Sequence, residues 1–306
     1  MALLHAAFLD AVTAIGVGDD PKKRRWIGTG FLYGRFQKKI DEQTKTYNVF
    51  LVTNKHVVES LPKIYLKFNS AADTSSKDYE IPLIARNGKL IWIGHPNKDI
   101  DVAVLPIDAN HLKAELRKYA FFQSDLHVFT KDQLKSEGVS EGDGVFVLGF
   151  PMGMVDAERQ YVICRGGAIA RIRDLLDGKT TDFLVDATVF PGNSGGPVVI
   201  RPELAFIKGT KSVNRANLIG IVKSYVPYRD VATSEQTRSA RIVFEENSGL
   251  TAVEPVDHIL KTVELAMKRM KNRISQARWR SKQQPAPQPN PALDAGAPPA
   301  GVAPAN

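Results

Sequence analysis

Cysteine is almost absent from this chain: one residue, Cys164, among 306. A single thiol excludes a disulfide framework and any zinc site built on several cysteines. Long hydrophobic runs are missing too. No stretch approaches the roughly 18 to 20 apolar residues that a membrane-spanning helix requires. The N-terminal MALLHAAFLDAVTAIGVG comes nearest, but Asp10 interrupts it. No Lys or Arg precedes Lys22, so the charged start of a secretory signal is lacking. The expectation is a soluble, cytoplasmic protein with no integral membrane segment.

Acidic residues are missing from one place in particular. Residues 268–282 hold seven Lys and Arg and no acid, and residues 283–306 hold only Asp294. Of the formal net charge of +8, only +2 therefore belongs to residues 1–267. The basicity is local and says little about the fold. Within it, Trp279 between Arg278 and Arg280 suits a polyanion or acidic partner. The plain alternative is a solvated basic end to a helix.

The far C-terminus lacks large apolar residues. Seven Pro and seven Ala fill 22 positions from 285 to 306, so burial cannot offset the entropy of ordering. Residues 283–306 read as a disordered Pro/Ala-rich tail. Upstream, Val256, Ile259, Leu260, Val263 and Met267 recur at helical spacing behind Pro255. A C-terminal helix over 254–282 follows, docking through its first half and basic at its end.

The rest of the chain reads as β. VTAIGVG, GTGFLYGRF, YNVFLVTN, KIYLKF, YEIPLIA, KLIWIG and DVAVLPI are short β-branched and aromatic runs between turn-forming clusters. After a polar, more helical stretch (108–140) the pattern restarts with GVFVLGF, QYVICRG, AIARIR, FLVDATV, PVVI, NLIGIVKSYV and RIVFE. Two sets of strands without alternating helices predict an all-β protein. The reading is two antiparallel β-barrels, residues 1–125 and 126–253.

Three places carry candidate chemistry. FPGNSGGP (190–197) sets Ser194 among three glycines and between two prolines. Glycines let backbone N–H groups approach one point, and those of Gly192 and Ser194 would form an oxyanion hole beside the hydroxyl. A Gly-rich turn containing Ser is equally a plain β-turn. A serine needs a base to become nucleophilic. Of six histidines, only His56 closes a strand-like run, in FLVTNKHVV. His95 is its strongest competitor. A carboxylate must then orient the imidazole. NKDIDVAVLPI offers Asp99 and Asp101, which point to the same side of an extended chain. Asp101 is preferred because it directly precedes the apolar strand, with Asp99 as the fallback.

Together, G-T-G-F (28–31), L-V-T-N-K-H-V-V (51–58), D-V-A-V-L (101–105), L-G-F-P-M-G (148–153), D-A-T-V-F-P-G-N-S-G-G-P (186–197) and L-I-G-I-V (218–222) resemble the chymotrypsin-fold, trypsin-like serine proteases, specifically the bacterial HtrA-type branch. The order His, Asp, Ser is that of this family. The resemblance implies a double β-barrel with an active cleft between the barrels. It implies a serine endopeptidase acting on protein or peptide substrates through an acyl-enzyme, with His56, Asp101 and Ser194 as triad. Neither metal nor cofactor is implied. Only a helix and a tail are expected after the protease, rather than a PDZ domain, and Asn193 stands where a zymogen switch needs an acid. Activation by N-terminal cleavage is therefore not expected.

For the substrate pocket, the family position that binds a basic side chain is Thr188, with no charge. Lys223, Ser224 and Tyr225 should line the other wall. A neutral pocket of medium size favours a small or aliphatic side chain. The alternative is that Lys223 faces the pocket and selects an acidic one. Cys164, inside YVICRG, is expected to be a buried, inert thiol. The rival to an enzyme is a non-catalytic, protease-fold interaction module that uses the basic C-terminal segment.

Overall fold

The structure is a computed structural model, and it describes residues 3–203 and 211–283. The chain divides into two compact units, Met1–Ala266 and Met267–Asn306.

The first half of the larger unit opens with a short helix, α1 (Ala6–Asp10), followed by β1 (Val12–Val17), β2 (Arg25–Lys39) and β3 (Lys45–Thr53). Next come α2 (Lys55–Val58), β4 (Lys63–Asn69), β5 (Ser76–Pro82), β6 (Ile93–Gly94) and β7 (Ala103–Pro106). Helix α3 (Ala109–Ala114) and β8 (Phe122–Gln123) complete it. The sheet order is β5-β4-β1-β2-β3-β7-β6, and β8 pairs in parallel with β2. The two ends of this path meet at the 83–91 turn, where the Ile91 N–H donates to the Leu83 carbonyl (2.9 Å). Alternation along the strands sends Ile15, Leu32, Leu51, Ile64, Leu66 and Leu105 into one shared core. Each such side chain contributes about 1.5–3 kcal/mol on burial.

The second half begins with α4 (Lys131–Glu137), held by a capping box between Thr130 and Gln133 and stopped by left-handed Gly138. It continues through β9 (Gly144–Gly149), β10 (Ile163–Arg171), α5 (Arg173–Leu176), β11 (Phe183–Asp186), β12 (Pro197–Ile200), β13 (Asn217–Thr233) and β14 (Ala240–Pro255). Here the sheet is a closed barrel, β10-β11-β14-β13-β12-β9, filled by Val145, Val147, Ile169, Phe183, Val198 and Ile219. The expected all-β double barrel is therefore present. Helix α6 (Val256–Gln283) follows β14 directly. Its first three turns bury Val256, Ile259, Val263 and Ala266, so the compact unit extends to Ala266.

Buried Gln160 staples the halves together. Its side chain accepts from the Ala14 N–H (3.0 Å) and donates to the Val12 carbonyl (2.9 Å).

Several local expectations are corrected. KLIWIG forms only the two-residue β6, and QYVICRG and AIARIR merge into the single strand β10. RIVFE is not a barrel strand. Only the end of β14 pairs with β11, and the part from Ala240 to Asn247 forms with β13 a projecting two-stranded ribbon. Ile242, Val243 and Phe244 are exposed on it. Cys164 is exposed rather than buried, because β10 turns that side chain outward. Partial desolvation of the sulfur nonetheless pushes its pKa up, the opposite of a reactive thiol. Residues 284–306, which hold nearly all of the expected tail, lie outside the described residues. So do the side chains of Arg278, Trp279, Arg280 and Lys282.

Candidate active site

The imidazole is positioned by a strand end. Thr53 closes β3 and Lys55 opens α2, so His56 sits on a single helical turn at the rim of the first barrel. Asn54 between them is fully buried, and its amide donates to the Asp101 carbonyl (2.6 Å). This bond fixes the loop before β7 against the end of β3. Asp101 then reaches His56 twice. Its Oδ1 accepts from the His56 backbone N–H (3.2 Å), and its Oδ2 lies 2.5 Å from His56 Nδ1. An Nδ1–H that donates to the carboxylate leaves Nε2 as the basic nitrogen. Burial alone would raise the Asp101 carboxyl. The bond from the His56 ring, its charge, and the backbone N–H groups of His56 and Lys55 outweigh it and hold the pKa below the usual carboxylate range. The His56 side chain is 48% exposed and that of Asp101 19%, so the imidazole opens toward the cleft while its partner is held behind it.

The serine loop is built from a turn. The Asn193 N–H donates to the Phe190 carbonyl (3.0 Å), with Pro191 and Gly192 between them. Proline at the second position and a glycine at φ +101° at the third define a type II turn. The Pro191 carbonyl accepts from the Met152 N–H (2.6 Å). Because a trans peptide sets its C=O and N–H on opposite sides, the Gly192 N–H is directed away from Met152. Among the described residues, the N–H groups of Gly192 and Ser194 have no protein acceptor. The Ser194 carbonyl accepts from the Thr29 N–H (2.9 Å), and the Gly195 N–H donates to Val222 (3.1 Å). The loop is thus clamped between β2 and β13. At Gly195, also at positive φ, a Cβ would lie 2.1 Å from the Thr29 carbonyl oxygen, so no side chain fits.

His56, Asp101 and Ser194 line one open cleft together with Val189, Phe190, Pro191, Val222, Lys223, Ser224 and Tyr225. The expected pocket residues Lys223, Ser224 and Tyr225 are in its wall. Thr188 is not: it is half-buried beside Gly249, and alternation along the chain gives the wall to Val189 instead. His95 and Asp99 stand elsewhere. His95 is buried, accepts from the Asn97 N–H (3.2 Å) and packs its ring on His258 (5.3 Å). The Asp99 side chain is exposed.

Three supporting residues escaped sequence reasoning. Buried Thr29 donates its hydroxyl to the Gly192 carbonyl (2.6 Å) and accepts from the Phe150 N–H (3.1 Å). Its place in G-T-G-F was the only available signal. Met152, at φ +56° in L-G-F-P-M-G, holds the turn through its backbone. Glu254 accepts from the Asp101 N–H (3.1 Å) across 153 positions of sequence, and no local pattern announces it. Among the described residues no cluster of His, Cys, Asp and Glu suits a metal ion. No helix there is long and apolar enough to cross a membrane.

No curated protein matches the chain. Among solved structures, the protease domain of MamO from Magnetospirillum magneticum (apo form) is similar, at 16% identity and a TM-score of 0.45, over 84% of this chain and 97% of that one. A family model described as the trypsin-like peptidase domain matches residues 28–202, more than half of the chain and the whole span from G-T-G-F through β12. With two β-barrel halves meeting at this cleft, the chain belongs to the trypsin-like peptidase family and has the chymotrypsin fold.

Proposed function

We propose that the protein is a serine endopeptidase that hydrolyses peptide bonds through an acyl-enzyme. The observation that carries this reading is the His56 Nδ1–Asp101 Oδ2 pair, set in the same cleft as the serine of an intact G-N-S-G-G-P turn. Ser194 Oγ attacks the scissile carbonyl while His56 Nε2 accepts its proton. His56 then returns the proton to the leaving amine, and a water repeats the sequence on the acyl group. Asp101 fixes the tautomer and stabilises the imidazolium that forms. The N–H groups of Gly192 and Ser194 receive the charge that develops on the carbonyl oxygen. Val189, Phe190, Val222 and Tyr225 give the cleft an apolar wall, which suits a small or aliphatic side chain before the scissile bond.

Hydrolysis of an unfolded polypeptide by the purified protein tests the assignment. Ser194→Ala, which removes one oxygen from a partly buried residue of the turn, should abolish cleavage and leave the thermal transition in place. A Ser194→Ala protein that retains most of the wild-type turnover would overturn the assignment.

A further inference from the structure

Behind the cleft wall lies a carboxylate that the triad does not account for. Glu254, the last residue but one of β14, has no exposed surface. A carboxylate so placed is costly unless its oxygens find partners, and here both oxygens are engaged. Its Oε1 receives Lys223 Nζ (3.1 Å) and the Asp101 backbone N–H (3.1 Å), and its Oε2 meets His258 Nδ1 (2.7 Å).

Lys223 is correspondingly occupied. Its Nζ also lies 3.3 Å from Asp182 Oδ2 and 3.4 Å from the Asp99 carbonyl. An ammonium has three donors, and three acceptors surround this one. Lys223 therefore contributes its methylene stem to the cleft wall while its charged head is turned back toward Glu254. The sequence alternative, a cation waiting for an acidic side chain, is not what this arrangement offers. An acidic side chain entering the cleft would have to compete with two carboxylates already bound to the same ammonium.

We propose that Glu254 sets the charge selectivity of the cleft, locking Lys223 as a structural counter-ion so that the pocket presents no free cation. The same carboxylate, through the Asp101 N–H, acts as a positioning residue for the aspartate behind His56. The selectivity half rests on the peptidase reading above. The lock itself does not, so the two are tested separately.

The lock is read by chemistry on the lysine. Timed acetylation of the full chain with an N-hydroxysuccinimide ester, followed by peptide mass spectrometry, gives a rate for each lysine. In the wild type, Lys223 should react about tenfold more slowly than surface lysines, because its ammonium is held in charge-assisted bonds. Glu254→Gln should release most of that protection. If the buried change prevents folding, Asp182→Asn removes the charge of a partly exposed partner and should speed the reaction about threefold, the scale of a partly solvated pair. Fast acetylation of Lys223 in the wild type, or no acceleration in either variant, overturns the lock.

Selectivity is read from peptides that differ only in Glu or Leu before the scissile bond. The wild type should cleave the Glu peptide at least about tenfold less efficiently in kcat/KM, and Glu254→Gln with Asp182→Asn should raise the Glu/Leu ratio about tenfold. An unchanged ratio in an active, folded variant overturns the selectivity role. Glu254→Gln, whose amide oxygen still accepts from the Asp101 N–H, should hydrolyse the Leu peptide faster than Glu254→Ala. Equal losses would remove the positioning role. If the wild type cleaves neither peptide, the peptidase reading fails, and the acetylation rates still decide the lock.

Discussion

A methyl group at Gly192 tests whether the type II turn is what aims the oxyanion donor. Gly192 sits at φ +101°, and a Cβ built there lies 2.3 Å from the Phe150 carbonyl oxygen, with the Gly153 and Met152 nitrogens at 3.1 and 3.2 Å. All three contacts are backbone, so none yields cheaply. An alanine at such a φ is strained by about 1–3 kcal/mol before the clash is counted. The accessible relief is to drive φ negative, which converts the turn to type I and rotates the Pro191–Gly192 peptide. That rotation breaks the Met152 N–H bond to Pro191 and swings the Gly192 N–H away from Ser194. Loss of one oxyanion donor costs about 10²–10³ in kcat. KM should change little, because the oxyanion exists only on the way to the transition state. Gly142→Ala is the matched control: its φ is +96°, but its Cβ would meet nothing within 4 Å. It should lose only the stability that the backbone strain costs, about 1–3 kcal/mol, and keep its kcat. Steady-state kinetics with urea unfolding of both variants decide the matter. A folded Gly192→Ala protein within about threefold of the wild-type kcat would refute the reasoning.

The aspartates should separate cleanly. Asp101→Asn presents an amide to His56 Nδ1 and should lower kcat about 10⁴-fold through the wrong tautomer, whereas Asp99→Asn should be nearly silent in the same kinetics; the reverse ranking would move the role to Asp99. Glu141 gives a pH signature in stability. Its carboxylate accepts the Ile172 and Arg173 N–H groups at the start of α5 (3.0 and 3.2 Å), and chiefly the Ile172 bond pulls its pKa to about 2 from an ordinary 4.5. The depressed value means the contribution is complete above about pH 4.5 and is lost as the pH falls toward about 2. Glu141→Gln should therefore cost about 1 kcal/mol in urea unfolding at pH 7, with the gap to the wild type closing by pH 2.

Much of the candidate site's geometry was legible because it depends on backbone strings. G-N-S-G-G-P demands positive φ at Gly192 and Gly195, and only glycine supplies that at low cost. His56 and Asp101 each adjoin an apolar strand whose period is plain. What was not legible depends on side-chain phase and long-range pairing. Thr188 lost its expected place in the pocket to Val189 through a one-residue alternation, the kind of slip that flips a face. The apolar string around Cys164 predicts a buried thiol, yet its side chain points outward on β10. RIVFE has the composition of a core strand and lies on a projecting ribbon, because nothing local says where β14 leaves the barrel. The direction of the Lys223 ammonium depends on Glu254 and Asp182, 31 and 41 positions away along the chain.

The central claim is that Ser194 is an activated nucleophile, and covalent labelling with a fluorophosphonate tests it most directly. The reagent needs a basic imidazole and a formed oxyanion hole but no knowledge of the substrate. Intact mass should show one adduct, tandem mass spectrometry should place it on Ser194, and both Ser194→Ala and His56→Ala should lose it. A folded wild-type protein that takes up no label would contradict the account and leave a protease fold used for binding alone, and a label on another residue would move the nucleophile away from Ser194.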